Sequence, residues 1–304
     1  MQDHAYDSCI AKNNNIPMKK LRKIVEDIKN LSGGDPDQLQ ALLWQLICYS
    51  PKMPPRLHQQ KLLDEAETTS LKVHDQYFSQ SDLNINCFKW GSGPVKILLS
   101  HGWGSKGSDF SEIISMLRAN KDFEIWSFDA PGNGSSEGEI SNLFLYAESI
   151  KQLFIHAGIP QVMIGHSLGG MANALALQQS KAYPQLLISI APMVNLKENF
   201  IASMESVKTS GEAQERFFTD FEKLFEQKTE HFVLNKIYDF SDQLKHLLIY
   251  DSNDLISPSS YIEAFLKENP GTIASAYEET SHSKILTDPR VLNEMDLFIV
   301  KNIH

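Results

Sequence analysis

From residue 95 onward, short continuous apolar runs alternate with segments of helical periodicity. The runs cover 95–100, 125–128, 162–164, 186–190 and 247–250, and the helical patterns cover 110–119, 143–157, 171–179 and 261–267. A strand that is apolar on both sides has to be covered on both faces, and the amphipathic segments between the runs supply that cover. The alternation therefore predicts an α/β fold with a mostly parallel central sheet, helices on both faces and right-handed crossovers. Ahead of it, 71–78 and 83–90 are strand-like and joined by Ser79-Gln80-Ser81-Asp82, which predicts a hairpin. A strand at 272–277 and a helix from about 289 to 300 close the pattern.

Two stretches depart from this grammar. Residues 1–70 are polar and helical. Leu21, Ile24, Val25 and Ile28 mark one helix over 20–31, stopped by Ser32-Gly33-Gly34-Asp35-Pro36. Leu39, Leu42, Leu43, Leu46 and Ile47 mark a second over 37–50, ended by Pro51, Pro54 and Pro55. Between the strands near 191 and 246, helical patterns at 197–207 and 212–227 replace any strand signal, and the second carries Phe217, Phe218, Phe221, Leu224 and Phe225. We expect 1–70 to be an N-terminal helical extension packed on a core formed by 71–193 and 246–304. Residues 194–245 are expected to form a helical insertion. Its aromatic stripe is expected to pack onto the main body and, as a lid, to be able to line a substrate pocket with its apolar underside, two compatible readings.

Composition removes several function classes. The sequence holds 28 Lys and Arg against 38 Asp and Glu, a net charge of −10. No basic surface is available to neutralise a phosphate backbone, so no nucleic-acid partner is expected. No apolar run is long enough to span a bilayer. Residues 1–23 contain no apolar segment of secretory type, so no signal peptide is expected there. The three cysteines, Cys9, Cys48 and Cys87, are far apart and form no CxxC pair. That excludes a zinc knuckle and a disulfide framework, and suits free thiols in a reducing, cytoplasmic setting.

One pentapeptide carries chemistry. Gly165-His166-Ser167-Leu168-Gly169 fits G-x-S-x-G, follows the apolar run at 162–164 directly and opens a helix. The same pattern at Gly134-Ser135-Ser136-Glu137-Gly138 lies in a polar loop with no helix behind it, and lacks that context. A serine at a tight strand-to-helix turn sits in a strained conformation with its hydroxyl above the sheet. Glycines two residues to either side let strand and helix close up, and the helix N-terminus offers free amides and a positive dipole end.

A serine hydroxyl needs a base, and the base an orienting acid. In this architecture they follow in the order serine, acid, histidine. Of His231, His246, His282 and His304, the first two precede any acid at the end of the 247–250 strand, and the last is terminal. His282 alone lies between the 272–277 strand and the final helix. Asp251 and Asp254 both follow the 247–250 strand. Asp254, farther into the loop, is the better placed acid, which leaves Asp251 to cap the turn through backbone amides. The oxyanion of an acyl-transfer intermediate requires two backbone donors. Leu168, next after Ser167, supplies one. The loop His101-Gly102-Trp103-Gly104 supplies the other through the Trp103 amide, with Gly102 turning the backbone and the His101 ring packing at the sheet edge. The glycine-rich loop 129–135 has the wrong spacing for a dinucleotide fingerprint, and a structural rim is expected there.

Taken in order, His101-Gly102-Trp103-Gly104, Asp129-Ala130-Pro131-Gly132-Asn133-Gly134-Ser135-Ser136, Gly165-His166-Ser167-Leu168-Gly169-Gly170, Asp251-Ser252-Asn253-Asp254 and Ser281-His282-Ser283-Lys284-Ile285-Leu286 resemble the α/β-hydrolase superfamily. The likeness spans about 71–303. Within the superfamily the chain is similar to bacterial carboxylesterase-like proteins with a short helical lid and an N-terminal helical extension. The resemblance implies a serine hydrolase of carboxylic esters with Ser167 as nucleophile, Asp254 as acid and His282 as base. It implies a small-molecule acyl substrate and neither cofactor nor metal. A thioesterase or acyltransferase would use the same triad, and a binding protein could keep the fold without catalysis. Asn133 stands where the family commonly has histidine, and Ser281 where it commonly has glycine.

Overall fold

The computed structural model describes residues 16–31 and 34–303. Readings that fall on residues 1–15, on Ser32-Gly33 and on His304 lie outside them. In chain order the elements are α1 (Ile16–Asn30), α2 (Pro36–Cys48), α3 (Leu57–Asp64), β1 (Glu67–Asp75), β2 (Ser81–Trp90), β3 (Val95–Ser100), α4 (Ser111–Leu117), β4 (Phe123–Phe128), α5 (Leu143–Ala157), β5 (Val162–His166), α6 (Leu168–Ser180), β6 (Leu186–Ile190), α7 (Leu196–Ser206), α8 (Gly211–Phe225), α9 (Leu234–Ile237), β7 (Lys245–Asp251), α10 (Ser259–Glu268), β8 (Ile273–Tyr277), α11 (Ser281–Lys284) and α12 (Pro289–Asn302).

The strands form one eight-stranded sheet in the order β1-β2-β4-β3-β5-β6-β7-β8. β1 and β2 pair as the expected antiparallel hairpin, β2 meets β4 antiparallel, and every later pairing is parallel. Every residue of β5 and β6 is buried, as continuous apolar runs require. One apolar cluster lies on each face of the sheet. One gathers residues of α5 and α6 such as Tyr146, Ile150, Met171 and Leu175, and the other gathers α4 and α12 residues such as Ile113, Ile114, Val291 and Met295. Each of these side chains contributes about 1.5–3 kcal/mol of burial.

The chain leaves β3 for β4 on one side and reaches β5 on the other, so the direction of winding reverses between β3 and β5. Loops leaving the carboxyl ends of two such neighbours diverge and open a crevice. Ser100 at the end of β3 pairs with Gly165 in β5. The segment after Ser100 and the turn after His166 therefore flank that crevice.

Several boundaries differ from expectation. The helix expected at 110–119 begins as a 3-10 turn, Gly107–Phe110. The helix α3 has no counterpart in the reading of the sequence. Its eight residues follow three prolines and bury only Gln59 and Leu62, too short a stretch for periodicity to register. His282 is not in an irregular loop but in the one-turn helix α11.

The aromatic stripe of α8 packs against the N-terminal helices. Trp44 of α2 lies 4.6 Å from Phe217, 6.3 Å from Phe221 and 6.1 Å from Phe225, between ring centroids. Phe225 also stacks on Phe144 at 4.5 Å. The buried Gln40 amide donates to the Ala213 carbonyl at 2.9 Å, tying α2 to the first turn of α8. The stripe thus packs, on the N-terminal helices as well as on the main body. Two clefts of about 230 and 240 Å³ border this region, and neither is lined by Ser167, Asp254 or His282.

Burial lowers the pKa of three enclosed histidines, His101, His166 and His246, the last two most strongly. Burial pushes the pKa of His246 down to about 3. Burial, joined by the charge of neighbouring His282, does the same to His166. These last two rings stay neutral in the fold and take up a proton once unfolded, where histidine titrates near about 6.5. Below that value the unfolded chain binds more protons, so stability falls as pH is lowered toward 3. Each proton is worth roughly 1.4 kcal/mol per pH unit, so the pair should cost about 3 kcal/mol per unit between pH 6 and 4.5. Urea midpoints measured across that window check the slope, and a flat profile would contradict neutral burial. His246→Leu should remove about 1.4 kcal/mol per pH unit of that slope.

Candidate active site

β5 ends at His166 and α6 begins at Leu168, leaving Ser167 alone to make the turn. It adopts φ 53° and ψ −121°, a conformation L-residues rarely populate. Surrounding bonds hold it there. The Ser167 amide donates to the Ile190 carbonyl at 3.0 Å, and the Ser167 carbonyl accepts from Gly170 and Met193, each at 3.0 Å. The flanking glycines are required by space. A Cβ on Gly169 would lie 2.0 Å from the Ser100 carbonyl oxygen, and one on Gly165 would lie 2.6 Å from the Asn173 amide nitrogen. Strand and helix close up as the pentapeptide predicts.

The structure brings Ser167, His282 and Asp254 together from three separate parts of the chain. His282 Nε2 is 2.9 Å from Ser167 Oγ, and His282 Nδ1 is 2.6 Å from Asp254 Oδ2. The Asp254 side chain is 1% exposed and that of His282 12%. Burial works to raise the Asp254 pKa, but the hydrogen bond and charge of His282, with the amides of Ile256 and Ser257, outweigh it and hold the carboxyl below its ordinary value. Those amides donate to Oδ1 at 2.8 and 3.2 Å, which leaves Oδ2 to the imidazole. Because a carboxylate accepts only, the His282 proton sits on Nδ1, and Nε2 presents its lone pair to the serine hydroxyl.

Asp251 does more than cap a turn. Its Oδ1 accepts from the Asn253 amide at 2.8 Å. Its Oδ2 accepts from the Thr280 amide, the Thr280 hydroxyl and the Ser281 amide at 2.7–2.8 Å. It ties the end of β7 to the residues just before His282, a link 30 residues long that no local pattern reveals. Ser281 has φ 54°, so the position commonly glycine in the family is one that needs left-handed backbone.

The turn after β3 closes with the Ser105 amide on the Gly102 carbonyl at 3.3 Å, with Gly104 at φ +65°. Gly102 itself is not left-handed. It is a glycine because a Cβ there would lie 3.0 Å from His166 Nδ1 and 3.1 Å from Ser167 Cβ, so proximity to Ser167, not turning, is its physical reason. Among the described residues, neither the Trp103 nor the Leu168 amide donates a hydrogen bond within the protein. The buried His101 ring accepts from the Ala130 amide at 3.0 Å through Nε2 and lies 2.8 Å from the Gly102 carbonyl through Nδ1, the packing role expected of it.

The 129–135 loop folds around its own carboxylate. Asp129 accepts from the Gly107 amide at 2.8 Å and from the amide and hydroxyl of Ser135 at 2.7 and 2.8 Å. Buried Asn133 accepts from the Ser50 hydroxyl at 2.5 Å and donates to the Pro131 carbonyl at 3.1 Å, so it fastens the N-terminal segment to this rim. Among the described residues no group of His, Cys, Asp or Glu has metal-site geometry. No helix there is long and apolar enough to cross a membrane.

Comparison with known proteins shows the kind of fold and the proteins to which the chain is similar. The family described as Serine aminopeptidase, S33, matches residues 94–222, which include Trp103, Ser167 and Leu168. Monoglyceride lipase of Rattus norvegicus is 27% identical over 134 residues, 40% of this chain and 42% of the lipase. The pimeloyl-[acyl-carrier protein] methyl ester esterase of Vibrio vulnificus is 33% identical over 106 residues, 33% of this chain and 38% of that enzyme. The chain thus matches less than half the length of either relative. An esterase of Pyrococcus furiosus superposes with a TM-score of 0.61 at 15% identity, over 84% of this chain and 100% of its own. At that identity the likeness is one of fold.

Proposed function

We propose that this chain, which has the α/β-hydrolase fold, is a serine hydrolase cleaving carboxylic esters, with Ser167 as nucleophile, His282 as general base and Asp254 as the acid that orients it. The observation that carries the reading is the His282 imidazole lying between Ser167 Oγ at 2.9 Å and Asp254 Oδ2 at 2.6 Å. The similarity to a monoglyceride lipase supports an ester of a small molecule as substrate, and the similarity to a methyl ester esterase supports ester cleavage.

Ser167 Oγ attacks the acyl carbon while His282 Nε2 takes its proton. Negative charge then gathers on the carbonyl oxygen, where the free amides of Trp103 and Leu168 and the N-terminus of α6 stabilise it. His282 returns the proton to the departing alcohol, leaving Ser167 acylated. Water enters, gives a proton to His282 and attacks the acyl carbon; as the acyl–Oγ bond breaks, His282 returns that proton to Ser167 Oγ and the acid leaves. Asp254 keeps the Nδ1 proton in place and steadies the imidazolium at each step. The buried, unpaired thiols of Cys48 and Cys87 fit a reducing, cytoplasmic setting.

A fluorophosphonate probe tests the reading. It should attach to Ser167, located by peptide mapping, and a panel of p-nitrophenyl esters should be hydrolysed faster than acyl-CoA thioesters. Preference for the thioesters would make the protein a thioesterase, and the absence of labelling would leave it a binding protein.

A further inference from the structure

We propose that His166, the residue before Ser167, is a positioning residue: it holds the main chain of His282 and thereby sets the distance from the base to the nucleophile. The inference rests on the reading of Ser167 and His282 just given. His166 Nε2 lies 2.8 Å from the His282 carbonyl oxygen, across 116 residues of sequence. The two rings are 4.8 Å apart between centroids and inclined by 47°. A carbonyl only accepts, so the His166 proton sits on Nε2 and is donated to it. Nδ1 is buried, faces Gly102 and has no partner among the described residues. Leaving a buried acceptor unpaired costs about 1–3 kcal/mol. The packing of the core alone does not call for that cost, since an apolar side chain would avoid it.

The contacts close a ring. Ser167 is joined to His166 by a peptide bond, His166 to the His282 carbonyl by the hydrogen bond, and the His282 imidazole to Ser167 Oγ at 2.9 Å. The other anchors act elsewhere. Asp251 grips the residues before His282, and Asp254 grips the far side of its imidazole. Among the described residues, only His166 joins the main chain of His282 directly to the nucleophile's own turn. A reacting pair displaced by about 1 Å loses on the order of 100-fold in rate, so removing this link should affect the chemical step more than binding.

The test compares His166→Leu, which keeps apolar bulk and lacks a donor, with His166→Gln, whose amide N–H can reach the same carbonyl. On p-nitrophenyl esters, kcat of the Leu variant should fall about 10–100-fold with KM within about threefold, and the Gln variant should recover to within about fivefold of the parent. The fluorophosphonate labelling rate at Ser167 should fall and recover in parallel. A Leu variant that retains the parent's kcat, or folded Leu and Gln variants impaired alike, would overturn the inference. Nitrogen-15 NMR of the unmutated protein tests it without any substitution. The His166 ring should be neutral with its proton on Nε2 from pH 5 to 8, and an Nδ1–H ring would refute the link. Labelling of the parent separates the two claims. If Ser167 is not labelled, both fall. If it is labelled while the Leu variant is undiminished, only the role of His166 falls.

Discussion

Ser167→Ala is expected to lower turnover of an ester substrate on the order of 10⁴–10⁶-fold, with KM little changed, because it removes the atom proposed to form the acyl bond. The residual rate would come from the oxyanion donors and from binding, which the substitution leaves in place. Stability should change little or rise. The hydroxyl's partner is the His282 imidazole, which is still held by Asp254, and alanine bears the same backbone strain as serine at φ 53°. Steady-state kinetics on the purified variant, with urea unfolding as a fold control, measure both effects. Turnover within tenfold of the parent would move the nucleophile to another residue.

Gly169→Ala should be strongly damaging. The added Cβ would sit 2.0 Å from the Ser100 carbonyl oxygen and 2.6 Å from that of His101, both of them backbone that cannot swing aside. Relief requires α6 to move away from β3, which breaks the packing on which the Ser167 turn and the Trp103 loop both depend. A loss of at least about 4 kcal/mol is expected, in the range reached only by severe overpacking, together with loss of activity. Gly211→Ala is the matched control. Gly211 opens α8 and a Cβ there meets nothing within 4 Å, so that variant should be neutral or gain about 0.5–1 kcal/mol. Equal urea midpoints for the two variants would show that the close approach at Gly169 is not what constrains the turn.

Much of the arrangement could be read in the sequence, for reasons these residues make plain. Strands buried on both faces leave continuous apolar runs, and those at 95–100 and 186–190 coincide with β3 and β6. Ser167 declares itself because backbone strain, flanking glycines and a helix start are all local. Asp254 could be separated from Asp251 by position along the loop alone. Contacts made across the sheet leave no such trace. The donation from His166 to a residue 116 positions away, and the grip of Asp251 on Thr280 and Ser281, are properties of which loops become neighbours. The partner of the α8 stripe was hidden for the same reason. Its rings signal an apolar face at helical spacing, but only the folded chain reveals Trp44 opposite them.

That pairing bears on how such a protein can be recombined. Trp44 and Gln40 belong to the stretch ahead of the sheet, whereas Phe217 and Ala213 belong to the excursion between β6 and β7. Neither stretch has a complete apolar underside without the other. An engineer who transplants 196–237 into a foreign scaffold strips Phe217 of Trp44, leaving a bare phenyl ring that invites clumping, unless 36–48 travels too. The portable cassette is thus discontinuous, two ribbons that must be moved and varied in concert.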